Sequence, residues 1–337
     1  MGDRDLEELR RLGFGVAYRM LGSVSEAEDV AQEALLRLTG QQESIAEPAA
    51  WITTVATRLS INVLKSARVR RESYVGPWLP EPLLDEAAPD PASRAELADS
   101  LSLAMLALLE RLTPVERAAY LLREVFGYEY REIAGIIEQT EVNSRQLVTR
   151  ARKHVEASRP RFDADEAARD ALLERFLAAA EEGDLEALEE LLAKDAVLYA
   201  DGGGKVMASP EPLFGAALIA RFMAGVARVR REYGAFDMRM VRVNGQLGRL
   251  IRGPAEPRFD ESQRLAVQRA GELMRSGADA NQIASFVLER RERLAQDAGN
   301  DHVWEVLTVD VADGRIQTVR IVRNPDKLGH IGTSDAA

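Results

Sequence analysis

The chain has 337 residues, of which 46% are hydrophobic and 29% charged, and its formal net charge is -11 at pH 7. This length exceeds what one hydrophobic core usually supports, so we expect two or three domains. Cysteine is absent, which excludes disulfides, thiolate metal sites and cysteine nucleophiles. The three histidines, His154, His302 and His330, show no metal-ligand spacing, so we expect neither metal nor cofactor.

The sequence also argues against membrane insertion and for local contact with nucleic acid. No run approaches the roughly 20 apolar residues of a membrane span, and the start, MGDRDLEELRR, is too charged for a signal peptide. We therefore expect a cytoplasmic protein that does not associate with membranes. Basic residues concentrate in 65–71 and 143–161, whereas acids dominate 81–99 and 163–195. Two basic patches on an acidic chain favour binding of DNA in a defined pose over general condensation.

Residues 1–75 form the first predicted domain, a bundle of helices. A helix is predicted over 26–38, with Ser25 as its N-cap and a glutamate three residues later completing a capping box. A further helix, over 49–68, carries apolar residues at helical spacing. Trp51 near its start is expected to pack in the core, the alternative being a platform on which bases stack.

Residues 76–99 read as a linker, because four of the thirteen prolines fall in 77–89 together with many acids. Trp78, Leu79 and Leu83 are nevertheless too apolar to lie in water, so we expect this segment to dock on another part of the chain. Its two candidate partners are the C-terminal domain and the second helical domain.

Residues 100–160 form a second helical domain, which ends in a helix-turn-helix pattern over 129–156. A polar turn at 140–143 separates the two helices, and Asn143 or Ser144 is expected to cap the second. Its outer positions are Arg145, Gln146, Thr149, Arg150, Arg152 and Lys153. The alternative is an ordinary helical hairpin with a solvated basic face.

Residues 165–337 are predicted to form an α+β domain: two helices, then strand patterns forming a largely antiparallel sheet. Asn244-Gly245 and Asp313-Gly314 are hairpin signals. A polar, helix-rich segment, 254–299, is interpreted as a helical hairpin inserted in the sheet.

Several sequence motifs, in the same order along the chain, resemble those of a known protein family. AYRMLGSVSEAEDVAQEALLRL, AWITTVATRLSINVLKSARVRRE and LTPVERAAYLLREVFGYEYREIAGI resemble the conserved regions of extracytoplasmic-function (ECF) sigma factors of bacterial RNA polymerase. YVGPWLPEPL, DGGGK and NPDKL are similar to the subgroup with a fused SnoaL-like C-terminal extension. The resemblance implies two all-α sigma domains, namely a region 2 bundle and a region 4 helix-turn-helix, plus an α+β SnoaL-like (NTF2-like) cone barrel.

The resemblance also implies partners rather than catalysis. Core RNA polymerase would be bound at its β′ clamp helices and β flap, and promoter DNA would be read at two elements. Matching core-binding positions are Asp29, Gln32 and Glu33. Matching -10 positions are Arg58, Asn62, Lys65, Arg68, Arg70 and Arg71. At the -35 element, Arg145 and Gln146 would contact base edges, and Arg150, Arg152 and Lys153 phosphates.

In this subgroup the C-terminal domain is understood to contact the linker and the sigma domains and to tune activity. The corresponding residues are Trp78, Leu79, Pro80, Glu81, Pro82, Asp201, Gly202, Gly203, Gly204, Lys205, Asn324, Pro325, Asp326, Lys327 and Leu328. One alternative is a small-molecule enzyme or ligand sensor fused to a DNA-binding module, with Asp201, Asp326 and His330 as acid–base candidates. A conventional repressor or activator is another.

Overall fold

The computed structural model describes residues 3–41, 45–72, 74–84, 101–158, 166–233, 236–253 and 302–332. The chain divides into two compact units: residues 1–73 with 90–159, and residues 74–89 with 160–337. The start of the predicted linker therefore belongs with the C-terminal part of the chain. The predicted inserted hairpin, 254–299, lies outside the described residues.

The first unit begins with three helices, α1 (Asp3–Leu21), α2 (Val24–Thr39) and α3 (Pro48–Glu72). The N-cap of α2 is Ser23, whose side chain accepts from the Glu26 amide at 3.3 Å, so the prediction of Ser25 is wrong. The reason is the preceding element: Gly22, at φ 64°, ends α1 and leaves room for one capping residue. Trp51 is half-buried and packs against the core of this bundle, as expected.

Four helices follow: α4 (Leu103–Leu109), α5 (Pro114–Glu124), α6 (Tyr130–Ile136) and α7 (Glu141–Ser158). Helices α6 and α7 form the predicted helix-turn-helix, and Ile133, Leu147 and Val148 are buried as predicted. The cap of α7 differs, because the Asn143 amide donates to the Thr140 hydroxyl at 3.1 Å. Neither Asn143 nor Ser144 caps the helix, since α7 begins before them.

A buried arginine joins the two helical groups of the first unit. Arg117 of α5 is 2% exposed and donates to the Met20 carbonyl of α1 at 2.6 Å and to the Leu109 carbonyl at 2.9 Å. Burial lowers the pKa of Arg117 to about 9, so the side chain is still a cation at neutral pH. The carbonyls and Glu110, 2.6 Å away, offset the cost of burying that charge.

The second unit contains helices α8 (Glu166–Glu182), α9 (Leu185–Leu191) and α10 (Ala216–Tyr233) and a six-stranded sheet. The strands are β1 (Leu192–Asp201), β2 (Leu213–Phe214), β3 (Asp237–Val243), β4 (Gln246–Gly253), β5 (His302–Ala312) and β6 (Arg315–Val322), and a short helix, α11 (Pro325–Leu328), follows. The sheet order is β2-β1-β6-β5-β4-β3. Only the β1–β6 pair is parallel among the described strands.

Both predicted hairpin turns are present. Asn244 and Gly245 have φ values of 51° and 81°, and Asp313 and Gly314 have values of 52° and 68°, as a two-residue turn of the I′ type requires. The core lies between the three helices and one face of the sheet, where Phe176, Leu198, Ile219 and Leu307 are fully buried. The mixed α/β class was predicted correctly; β2 was not, because two residues carry no alternating pattern.

Candidate functional site

The exposed face of α2 carries the three predicted core-binding residues. Asp29, Gln32 and Glu33 are all exposed, and their spacing places them on one side of the helix. Leu36 continues this face and is 59% exposed. Sequence reasoning missed Leu36, although its position seven residues after Asp29 is a signal that was available. This acidic face is complementary in charge to a basic partner surface, and Leu36 offers an apolar contact beside it.

One face of α3 carries Arg58, Asn62 and Lys65, which are exposed at helical spacing. Arg58 already has partners, because its guanidinium donates to the Gly135 carbonyl at 2.8 Å and to the Ile136 carbonyl at 2.9 Å. The side chains of Arg68, Arg70 and Arg71 lie outside the described part of the chain, so their predicted role stays a prediction.

The outer face of α7 is exposed at all six predicted positions: Arg145, Gln146, Thr149, Arg150, Arg152 and Lys153. Val142, in the first turn of the same helix, is 67% exposed and was missed from the sequence. Thr149 is exposed and donates its hydroxyl to the Arg145 carbonyl at 2.8 Å, which holds its side chain in one rotamer.

Glutamates of the same unit pair with the arginines of α7. Arg145 lies 2.6 Å from Glu141 and stacks 4.5 Å from the ring centre of Tyr130. Arg152 pairs with Glu124 at 2.7 Å, which raises the pKa of Arg152. Exposed pairs of this kind contribute at most about 1 kcal/mol, so phosphates can displace the glutamates at little cost.

The second site is built around Asp201, at the end of β1, which is fully buried. Its carboxylate accepts from the Tyr74 hydroxyl, from the Leu79 amide at 2.8 Å and from the Gly203 amide at 3.1 Å. Lys327 of α11 adds an ion pair at 2.7 Å. Burial raises the pKa of Tyr74 well above its usual value, and the charge of Asp201 raises it further, so the hydroxyl remains a donor.

Lys327 is the cationic half of this site and is 5% exposed. Its ammonium also donates to the Leu79 carbonyl and lies 5.0 Å from the ring centre of Tyr74 and 4.0 Å from that of Trp78. The carboxylate, the carbonyl and the two aromatic rings together offset the cost of burying the positive charge of Lys327. The linker motif and the NPDKL motif are therefore in contact through the side chain of Lys327.

The glycines of the DGGGK motif allow the linker to pack closely against the turn that follows β1. Gly203 and Gly204 have φ values of 58° and 67°, which favour glycine. A Cβ on Gly204 would lie 2.9 Å from the Cβ of Val75, and one on Gly203 would overlap Asn324. Lys205 forms an exposed ion pair with Asp326.

Residues 83 and 84 of the linker extend the edge of the sheet at β3. Leu83 and Asn244 exchange hydrogen bonds at 2.9 Å, and Leu84 forms a bridge to Val243. His330 lies 2.7 Å from the Pro82 carbonyl. Of the two partners considered for this segment, the structure places residues 74–84 on the C-terminal domain. Tyr74 and Asn244 were missed, because nothing local marks a residue whose partner is far along the chain.

Each of the three acid–base candidates has a partner of its own. Asp201 is engaged by three described donors and a lysine, Asp326 pairs with Lys205, and His330 contacts a carbonyl. In the parts of the chain that the structure describes, no group of three or more acids or histidines could hold a metal ion. No helix among the described residues is long and apolar enough to cross a membrane.

Comparisons of the sequence and of the structure with known proteins both find sigma factors. Residues 6–70 match the family model Sigma-70 region 2, and residues 102–155 match Sigma-70, region 4. The ECF RNA polymerase sigma factor SigJ of Mycobacterium tuberculosis is 37% identical over 252 residues, which cover 74% of this chain and 80% of that protein. The probable sigma factor SigI of the same species is 36% identical over 180 residues, 52% of this chain and 62% of that one. The crystal structure of M. tuberculosis SigJ gives a TM-score of 0.66 at 28% identity, covering 97% of this chain and 98% of that chain.

Proposed function

Because the chain belongs to the ECF sigma factors of RNA polymerase, we propose that it binds core polymerase through α2 and positions it on promoters through α3 and α7. Region 2 would occupy residues 1–75, the linker 76–99 and region 4 residues 100–160. The regulatory domain would occupy residues 165–337. In this function the protein would act in the cytoplasm, together with the transcription machinery.

The observation that carries the proposal is the outer face of α7. Six side chains that donate hydrogen bonds or carry charge lie on the exposed side of a helix whose inner side is packed in a helix-turn-helix. Such a helix enters the major groove with its first residues at the base edges. Arg145 and Gln146 lie in that part of α7, whereas Arg150, Arg152 and Lys153 lie further along, where the phosphates run.

Reconstituted transcription with purified core polymerase tests the proposal. We expect initiation at defined start sites, and duplex binding that weakens steeply with salt. Arg145→Ala should lower affinity for the cognate -35 duplex roughly 5- to 150-fold and relax preference at one base pair. The control is Lys153→Ala, which should weaken all duplexes about equally. An equal loss for Arg145→Ala on all duplexes would show that Arg145 is only a phosphate contact.

We further propose that the C-terminal domain modulates activity by holding the linker. The support is the buried site formed by Lys327, Asp201 and residues 74–84. A fully extended chain of 27 residues, the number in 74–100, spans at most about 90 Å, whereas one of 16 residues, the number in 85–100, spans at most about 55 Å. Holding the linker therefore limits how far regions 2 and 4 can separate to reach two promoter elements. The occupied carboxylate of Asp201 gives no support to catalysis.

A further inference from the structure

Val142 occupies a position that packing does not explain. It is the second residue of α7 and is 67% exposed, while the neighbouring inward positions Leu147 and Val148 are buried. A β-branched residue is also a poorer helix former than alanine. Single exposed apolar residues are common on proteins, so exposure alone does not imply a function. The position of Val142 is the informative part.

Val142 lies one turn before Arg145 and Gln146, and Thr149 lies one turn after them. Residues at this spacing share one face of a helix. In a recognition helix, the first residues of that face lie deepest among the base edges. Among the groups that base pairs present in the major groove, the apolar one is the C5 methyl of thymine.

We propose that Val142 is a specificity-determining residue that packs against the methyl group of one thymine in the -35 element. The inference rests on the proposed function, since it needs α7 to enter the major groove. Arg145 and Gln146 supply hydrogen bonds to neighbouring bases, and the basic residues further along α7 fix the register. Val142 adds an apolar contact that these polar side chains do not make, because the C5 methyl group is a feature that thymine presents in the major groove and cytosine does not.

The test combines a protein substitution with removal of a single methyl group from DNA. The full chain, with core polymerase, is bound to promoter duplexes in which each -35 thymine in turn is replaced by deoxyuridine. We expect the wild-type protein to lose roughly fourfold affinity at one thymine, the value of one buried methyl group. Val142→Ala should bind the thymine duplex several-fold more weakly and show no further loss with deoxyuridine. Alanine favours the helix, so loss of folding does not confuse the result.

Lys153→Ala is the matched control, because it should weaken both duplexes and leave the methyl effect intact. Normal promoter-specific binding by the wild type with no methyl effect at any thymine, or a -35 element without thymine, overturns the inference and leaves the proposed function standing. A methyl effect that persists in Val142→Ala also overturns it, because another side chain then contacts the methyl group. Absence of promoter-specific binding by the wild type sinks the proposed function itself.

Discussion

Two lysines of the C-terminal domain lie in different environments. Lys327 is 5% exposed and faces a carboxylate that is itself fully buried, whereas the Lys205 side chain is 31% exposed and pairs with the exposed Asp326. Removing one partner of a buried pair leaves an uncompensated charge, which costs about 3–5 kcal/mol. An exposed pair contributes about 1 kcal/mol or less.

Lys327→Met should therefore lower the free energy of unfolding of the C-terminal unit by about 3–5 kcal/mol. Lys205→Met, in the DGGGK motif, is the matched control and should lower the free energy of unfolding by less than about 1 kcal/mol. Urea titration followed by tryptophan fluorescence measures both, since Trp78 lies against Lys327. Similar small losses for the two variants would contradict the assignment of Lys327 as the buried charge.

Short sequence motifs identified most residues of the buried site around Asp201 and Lys327, but not the contacts between them. The motifs DGGGK and NPDKL were both predicted as regulatory contacts, and both lie against the linker. The hydroxyl of Tyr74, however, reaches a carboxylate 127 positions away, and Asn244 reaches the linker backbone across 161 positions. Burial and pairing at such separation depend on the whole sheet, which no local pattern encodes.

Among the elements, α6 depends on a residue from outside region 4. The last carbonyls of a helix accept no hydrogen bond from amides of the same helix. Two residues after the end of α6, Glu138 adopts the left-handed conformation, at φ 56°, so the chain does not continue as a helix. Arg58 of α3 donates to two of these carbonyls and brings a positive charge to the negative end of the helix. A residue predicted to contact -10 DNA therefore also caps a helix of region 4.

Arg58 cannot serve both partners at once, so -10 DNA should compete with the cap. We expect hydrogen exchange at the amides of 134–139 to become faster when a -10 single strand binds, and to be fast already in Arg58→Gln. Loss of the cap should cost region 4 about 1 kcal/mol. Asn62→Ala is the control, since it should weaken DNA binding without changing exchange in α6. Unchanged exchange in Arg58→Gln would show that the cap contributes nothing.

Helix caps show where sequence reasoning fails at this scale. Ser23 and Ser25, or Thr140, Asn143 and Ser144, are chemically equivalent candidates within a few residues. The choice depends on where the preceding turn ends, as Gly22 decides for α2. Strong periodicity and the two-residue turns were sufficient to predict the helices and hairpins, because those signals are local.

For the molecule as a whole, the informative feature is the route of the chain. It leaves the first unit after Ser73, contributes residues 74–89 to the second unit, and returns to the first at Asp90. The sequence predicted the linker from its prolines but left its partner open. The structure assigns eleven described residues, 74–84, to the C-terminal domain. The described part of the connection between regions 2 and 4 is therefore bound to a folded domain.

Releasing the linker should raise transcription without changing recognition of DNA. Tyr74→Phe removes one hydrogen bond to Asp201, and Asp201→Asn removes the charge that Lys327 and two amides share, so a graded increase is expected. We expect Asp201→Asn to give several-fold more initiation and faster proteolysis within 74–84. Affinity for an isolated -35 duplex should stay constant, because α7 belongs to the other unit.

Point substitutions are preferable to truncation here, since β6 lies between β1 and β5 and its removal would unfold the sheet. Lys205→Met removes an exposed ion pair and leaves the buried Asp201–Lys327 pair intact, so it should leave initiation unchanged. Tyr74→Phe covers the case in which Asp201→Asn unfolds the unit, because a phenylalanine ring retains the packing of the tyrosine. If both variants release the linker to proteases but initiation stays at the wild-type level, the linker contact holds the domain together without governing activity.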